Sequence, residues 1–168
     1  MKRILIALAL VSLAGAARAD EKVTLSGVHN CCGSCAKSIN TALGTVAGLK
    51  AELAGDKVTM TAASNDDLQK GVDAMIAAGY TGASDNEAVK VNTVAGPDEK
   101  VTSLTVSGTH MCCGKCVKMA QAAIKGVAGV TGDTIAPGAK TFTVTGDFNA
   151  KELMAALAKA GFTGTATK

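Results

Sequence analysis

Leu25-Ser26-Gly27-Val28-His29-Asn30-Cys31-Cys32-Gly33-Ser34-Cys35 returns, 81 residues further on, as Val106-Ser107-Gly108-Thr109-His110-Met111-Cys112-Cys113-Gly114-Lys115-Cys116. The match holds at the same offset for Lys37 and Lys118, then for Val46-Ala47-Gly48 and Val127-Ala128-Gly129. After a small insertion, Ala78-Gly79-Tyr80-Thr81-Gly82 faces Ala160-Gly161-Phe162-Thr163-Gly164. A repeat of this length makes the chain two copies of one unit.

Working outward from the motif, each copy reads as β-α-β-β-α-β. Lys22 to Ser26 alternates apolar and polar residues, as a half-buried strand does. Beyond the cysteines, Ala36, Ile39, Leu43 and Val46 fall at helical spacing, with Val117, Ala120, Ile124 and Val127 as counterparts. Leu49 to Leu53 and Lys57 to Thr61 form two strands about an Ala54-Gly55-Asp56 turn. In the second copy Lys140 to Thr145 is the third strand, after a Pro137-Gly138 turn. The second helices carry Leu68, Val72, Met75 and Ile76, or Leu153, Leu157 and Ala160. Asn65-Asp66 and Asn149 are placed to cap them, and Gly79 and Gly161 to end them. A last short strand is expected to begin at Tyr80 or Phe162. The fold class is therefore α+β, two tandem ferredoxin-like βαββαβ modules. Residues 20–84 form the first, 85–100 a flexible linker and 101–168 the second. Val89, Val91 and Val94 leave room for an extra edge strand in the linker.

All 6 cysteines and both histidines lie in the two His-x-Cys-Cys-Gly-x-Cys windows. A disulfide framework explains this poorly. Stapling bridges gain most from long closed loops, whereas partners within a unit are four residues apart at most. A metal site explains the clustering directly. Two thiolates separated by two residues, on a loop turning into a helix, can reach one ion, and the helix N-terminus stabilises anionic sulfur. Thiolates select soft ions: Cu(I) first, with Zn(II), Hg(II) and Cd(II) in the same class. Cys32 with Cys35, and Cys113 with Cys116, are the metal pairs. Cys31, Cys112, His29 and His110 are candidate extra ligands, and a Cys₃His set would suit tetrahedral Zn(II). About one ion per unit is expected on this logic.

With these residues in view, the units resemble heavy-metal-associated domains, the βαββαβ family of copper chaperones, ATPase metal-binding domains and the periplasmic mercury-binding protein. The family pattern Gly-Met-x-Cys-x-x-Cys is met in the second unit by Met111, Cys113 and Cys116, with His110 in the Gly position. The first unit supplies Cys32 and Cys35 but has Asn30 in place of Met. In the family that Met packs under the loop, so the first site is expected to be the weaker. Cys31 and Cys112 are additions to the pattern. Tyr80 and Phe162 fall where relatives place an aromatic residue near the metal loop, and they equally suit the role of core aromatics in a small domain. The resemblance implies a protein that binds metal and delivers or sequesters it, exchanging ions with a donor or acceptor protein. Relatives dock a basic face on an acidic partner, and here Lys115, Lys118 and Lys125 would form it.

The alternative is thiol–disulfide exchange, since Cys-Gly-Ser-Cys is also a redox-type spacing. Thioredoxin-type sites, however, set a cis-proline beside the cysteines. The first unit has no proline, and Pro137 of the second sits in a turn. No hydrolytic or transferase constellation accompanies the histidines, so an enzyme is not expected.

Residues 1–19 read as a signal peptide. Lys2 and Arg3 precede an apolar run from Ile4 to Leu13, and Ala17-Arg18-Ala19 is an A-x-A cleavage site. The run is well short of the roughly 20 residues a spanning helix needs. The mature protein would be periplasmic or secreted. Of 17 Lys and Arg, Lys2, Arg3 and Arg18 leave with the leader, so 14 face 14 Asp and Glu. A neutral chain with one Tyr, three Phe and no Trp has neither the charge nor the stacking surface for nucleic acid. Stable membrane insertion is not expected either.

Overall fold

The computed structural model describes residues 20–168, so the signal peptide and its cleavage site lie outside the described residues. The first unit runs β1 (Glu21–Ser26), α1 (Gly33–Leu43), β2 (Lys50–Ala54), β3 (Lys57–Ala62), α2 (Asn65–Ala77) and β4 (Ala83–Ser84). The second runs β5 (Lys100–Ser107), α3 (Gly114–Lys125), β6 (Val130–Asp133), β7 (Thr141–Asn149), α4 (Ala150–Lys159) and β8 (Thr165–Thr167). Each forms a four-stranded antiparallel sheet, ordered β2-β3-β1-β4 and β6-β7-β5-β8. These are two ferredoxin-like α+β modules.

Period-two alternation drives one sheet face of each unit inward: Val23 and Leu25 of β1 meet Val58 and Met60 of β3, all fully buried. The helices close over that face through Ile39 and Leu43 of α1 and Leu68, Val72 and Met75 of α2. Each such side chain contributes roughly 1.5–3 kcal/mol by leaving water. In the second unit Leu104, Val106, Phe142 and Val144 play the sheet part, and Ile124, Leu153 and Leu157 the helical part. The motif-bearing helices place Cys35 in register with Ile39 and Leu43, and Cys116 with Ala120 and Ile124. One cysteine of each motif therefore belongs to the buried stripe.

Three local details differ from the sequence reading. Ser64, not Asn65-Asp66, caps α2: its hydroxyl accepts from the Asp67 backbone N–H at 3.2 Å and donates to the Asp67 carboxylate at 2.8 Å. Asn149 caps α4 as expected, accepting from the Lys151 and Glu152 backbone N–H groups. The final strands begin at Ala83 and Thr165, beyond the aromatic residues. Tyr80 and Phe162 instead pair with each other across the two units in a single antiparallel bridge.

The connecting segment holds no strand at Val89 to Val94, and it is fastened down. Val89 is buried, and the Gln69 side chain brackets Lys90 by accepting from its N–H at 2.7 Å and donating to its carbonyl at 2.8 Å. At the other end Gly96 passes so close to Ala150 that a Cβ would lie 2.4 Å from its carbonyl oxygen. Among the described residues no helix is long and apolar enough to cross a membrane.

Candidate metal site

The two units meet motif to motif. Around the Tyr80–Phe162 bridge, the Thr81 N–H donates to the Gly161 carbonyl at 3.0 Å, and the Thr163 N–H to the Gly79 carbonyl at 3.4 Å. Equivalent residues thus exchange equivalent bonds, as they would about a two-fold axis. Gly79 and Gly161 are read from sequence as helix stops. They do follow the C-caps of α2 and α4 in the left-handed region, at φ +87 and +84. They also let the units touch, because a Cβ at Gly161 would lie 2.5 Å from the His29 backbone nitrogen, and one at Gly79 2.6 Å from that of His110.

This contact brings all six sulfurs together. Cys31 and Cys32 stand in the loop before α1, Cys35 in its first turn, and Cys112, Cys113 and Cys116 repeat the arrangement at α3. Cys31 Sγ lies 3.3 Å from Cys116 Sγ, and Cys112 Sγ lies 3.4 Å from both Cys32 and Cys35. Within the units, Cys32 and Cys35 are 3.6 Å apart and Cys113 and Cys116 3.8 Å. The cross-unit sulfur distances are therefore as short as those inside either motif. The expectation of two separate sites gives way to one shared cluster of free thiols. Sequence spacing could not reveal this, because it holds no information on how the units face one another.

Electrostatics divides the cysteines by position. Cys32 and Cys113 are the N-cap residues of their helices. The backbone N–H groups of Cys35 and Ser34 hold the Cys32 thiol below its ordinary value, and those of Cys116 and Lys115 do the same for Cys113. Neither helix has an acidic residue in its first turn, so its positive end is left to sulfur. Cys31 and Cys112 are pushed up, first by burial and then by hydrogen bonding to neighbouring thiols. A bound cation would reverse that preference, since coordination deprotonates a thiol.

Both histidines are drawn in as well. His29 is only 1% exposed and lies between Phe162 and Tyr80, with ring centroids 3.9 and 4.5 Å away. His110 leans on Tyr80 at 4.7 Å, with its ring centroid 6.0 Å from that of His29. His29 Nδ1 is 2.6 Å from the Gly161 carbonyl oxygen, an atom that can only accept. Nδ1 therefore carries the proton, and Nε2 presents a lone pair. Burial lowers the His29 pKa to about 4, so the ring is neutral near pH 7. His110 is lowered by burial too. The Nε2 atoms of both rings are buried without a hydrogen-bond partner. His29 lies within 4.8 Å of the Cys35 and Cys116 sulfurs, and His110 within 4.8 Å of Cys35 and Cys112. Buried polar atoms left unpaired beside thiols fit a thiophilic cation that would satisfy them.

Asn30 does support its loop, by a different bond from the one expected of Met. Its Nδ2 donates to the Gly55 carbonyl at 3.0 Å, tying the motif to the β2–β3 turn. Met111, its counterpart in the second loop, is buried. Tyr80 adds a bond from its hydroxyl to the Cys35 carbonyl at 3.4 Å. The repeated Ala-Gly-aromatic-Thr-Gly segment was the available sequence signal for this shared wall of the site.

Fold and site together define a small α+β module for heavy-metal binding. Residues 103–163 match the family model described as heavy-metal-associated domain, and the second unit belongs to that family. Among solved structures the chain is similar to the solution structure of the N-terminal soluble domains of Bacillus subtilis CopA. The identity is 17%, covering 89% of this chain and 95% of that one, with a TM-score of 0.30. No curated protein matches the chain.

Proposed function

We propose that this is an exported, non-enzymatic protein that binds Cu(I) or a comparable soft ion through both motifs at once and sequesters it or passes it on. The observation that carries this reading is the meeting of six thiols and two unpaired imidazole nitrogens at one place. Soft sulfur and neutral imidazole select Cu(I) over the hard cations, which prefer oxygen. Cys32, Cys35, Cys113 and Cys116 are the principal ligands. Cys31 and Cys112 complete the sulfur set, and His29 and His110 stand where a nitrogen ligand is needed. The first unit, which repeats every Cys, His and Gly of the second unit's motif, is a second heavy-metal-associated domain. Export rests on residues 1–19. A donor or acceptor protein would approach the exposed Lys115 and Lys118, beside the half-buried Cys113.

The test is anaerobic titration of the reduced mature protein with Cu(I) against a competing chelator, with Zn(II), Hg(II) and Cd(II) in parallel. Tight uptake of Cu(I) is expected. Disulfide reductase or isomerase activity with no soft-metal uptake would replace this reading by thiol–disulfide exchange.

A further inference from the structure

Taking soft-metal binding as given, the positions of the sulfurs carry a conclusion about how many ions they hold. Each sulfur has four sulfur neighbours. Cys31 neighbours Cys35, Cys113 and Cys116 at 3.7, 3.9 and 3.3 Å, with Cys32 within 4.8 Å. Cys112 neighbours Cys32, Cys35 and Cys116 at 3.4, 3.4 and 3.5 Å, with Cys113 within 4.8 Å. The remaining edges close the ring Cys32, Cys35, Cys116, Cys113 at 3.6, 3.8, 3.8 and 3.8 Å. Six points joined in this way are the corners of an octahedron, with Cys31 opposite Cys112.

We infer that this octahedron is the cage of one polynuclear Cu(I)–thiolate cluster of about four ions, shared by the two units, instead of two mononuclear sites. Consider the faces Cys31-Cys32-Cys35, Cys31-Cys113-Cys116, Cys32-Cys112-Cys113 and Cys35-Cys112-Cys116. They use each sulfur twice and share no edge, so each can take one three-coordinate ion while every thiolate bridges two. A triangle of sulfurs 3.9 Å on a side has its centre about 2.3 Å from each corner, which is a metal–thiolate bond length. The shortest edge, 3.3 Å between Cys31 and Cys116, needs to open by about 0.6 Å and the others by less. The balance closes without any redox change. The 6 thiols lose six protons and four Cu(I) enter, leaving two negative charges at the N-termini of α1 and α3.

Native mass spectrometry and X-ray absorption on the anaerobic, copper-loaded mature protein test this. The expected result is saturation at about four ions per chain, with metal-free and fully loaded species dominating at half loading. Sulfur scattering would be accompanied by a copper–copper shell. The paired substitution Cys31→Ser with Cys112→Ser leaves only the four-sulfur ring, so capacity should fall to about two ions and the copper–copper shell should vanish. If the native protein saturates at two ions with no copper–copper shell, the shared cluster is wrong while soft-metal binding stands. If it takes up no Cu(I), both fall.

Discussion

Gly161→Ala tests whether the two units are held together in the way the site requires. The substitution has two separable costs. The first is backbone strain, since φ is +84 and a Cβ in the left-handed region costs roughly 1–2 kcal/mol. The second is displacement of the neighbouring unit. The new Cβ would lie 2.5 Å from both the Gly27 carbonyl oxygen and the His29 nitrogen, and 3.1 Å from the Val28 carbonyl carbon. These are backbone atoms and cannot rotate away, so the units must part by about 1 Å to restore ordinary contact. That motion loosens the bonds from Thr81 N–H and His29 Nδ1 to the Gly161 carbonyl. Each is worth about 0.5–1.5 kcal/mol net. The total is on the order of 2–5 kcal/mol, about 1–3 kcal/mol of it at the interface.

Gly48→Ala is the control, because its φ is +76 and nothing lies within 4 Å of the added Cβ, so it carries the strain alone. Urea unfolding should separate the two variants. Tyrosine emission gives a second readout, because Tyr80 is the only Tyr, there is no Trp, and its ring meets His110 of the other unit at 4.7 Å. Gly161→Ala should change that emission and lower Cu(I) affinity, while Gly48→Ala should leave both unaltered. Equal unfolding midpoints with unchanged emission in the two variants would refute the reasoning about the interface.

Three further outcomes follow from the same geometry. Cys32→Ser with Cys35→Ser should weaken metal binding by the whole chain, because Cys112 and Cys113 lose neighbours too; competitive titration showing an untouched second site would count against a shared cluster. Asn30→Met should destabilise the first loop by about 1 kcal/mol through loss of the bond to Gly55, instead of tightening it, as read from the denaturation midpoint. The metal-free protein should lose stability as pH falls from 6.5 towards 4. In that window the unfolded chain protonates His29 while the folded ring, at about 4, does not, a difference on the order of 3 kcal/mol. A flat midpoint over that range, or the same slope in His29→Phe, would show that the buried ring is not the cause.

Much of this was legible in the residues. The repeat, the strand alternation at Lys22 to Ser26 and the helical spacing of Ile39 with Leu43 are local signals, and the structure turns each into the expected element. The burial of Cys35 and Cys116 could also have been read, since each sits four residues before an apolar residue of the same helical stripe. The cap at Ser64 was missed because Ser, Asn and Asp stand side by side there and all can cap. The facing of the units was out of reach. It depends on cross-unit bonds at Gly79, Gly161, Tyr80 and Phe162, residues whose local roles as helix stop and core aromatic are satisfied without any partner.

The adjacent cysteines explain why the duplication matters. Cys32 is extended, with φ −160 and ψ 169, and Cys113 likewise with φ −154 and ψ 170. Consecutive side chains on extended backbone point to opposite sides. Cys31 therefore stands to one side of the Cys32–Cys35 pair, 3.7 Å from Cys35, and in a lone unit it can close only the single face Cys31-Cys32-Cys35. Across the contact the same divergence becomes useful, because Cys31 comes nearest to Cys116 and Cys112 comes nearest to Cys32 and Cys35. Without these two residues the sulfurs form an open ring. With them the ring is capped above and below, and every sulfur has neighbours enough to bridge. The doublet is thus a feature of the pair of units, and its value appears only when both are present in one chain.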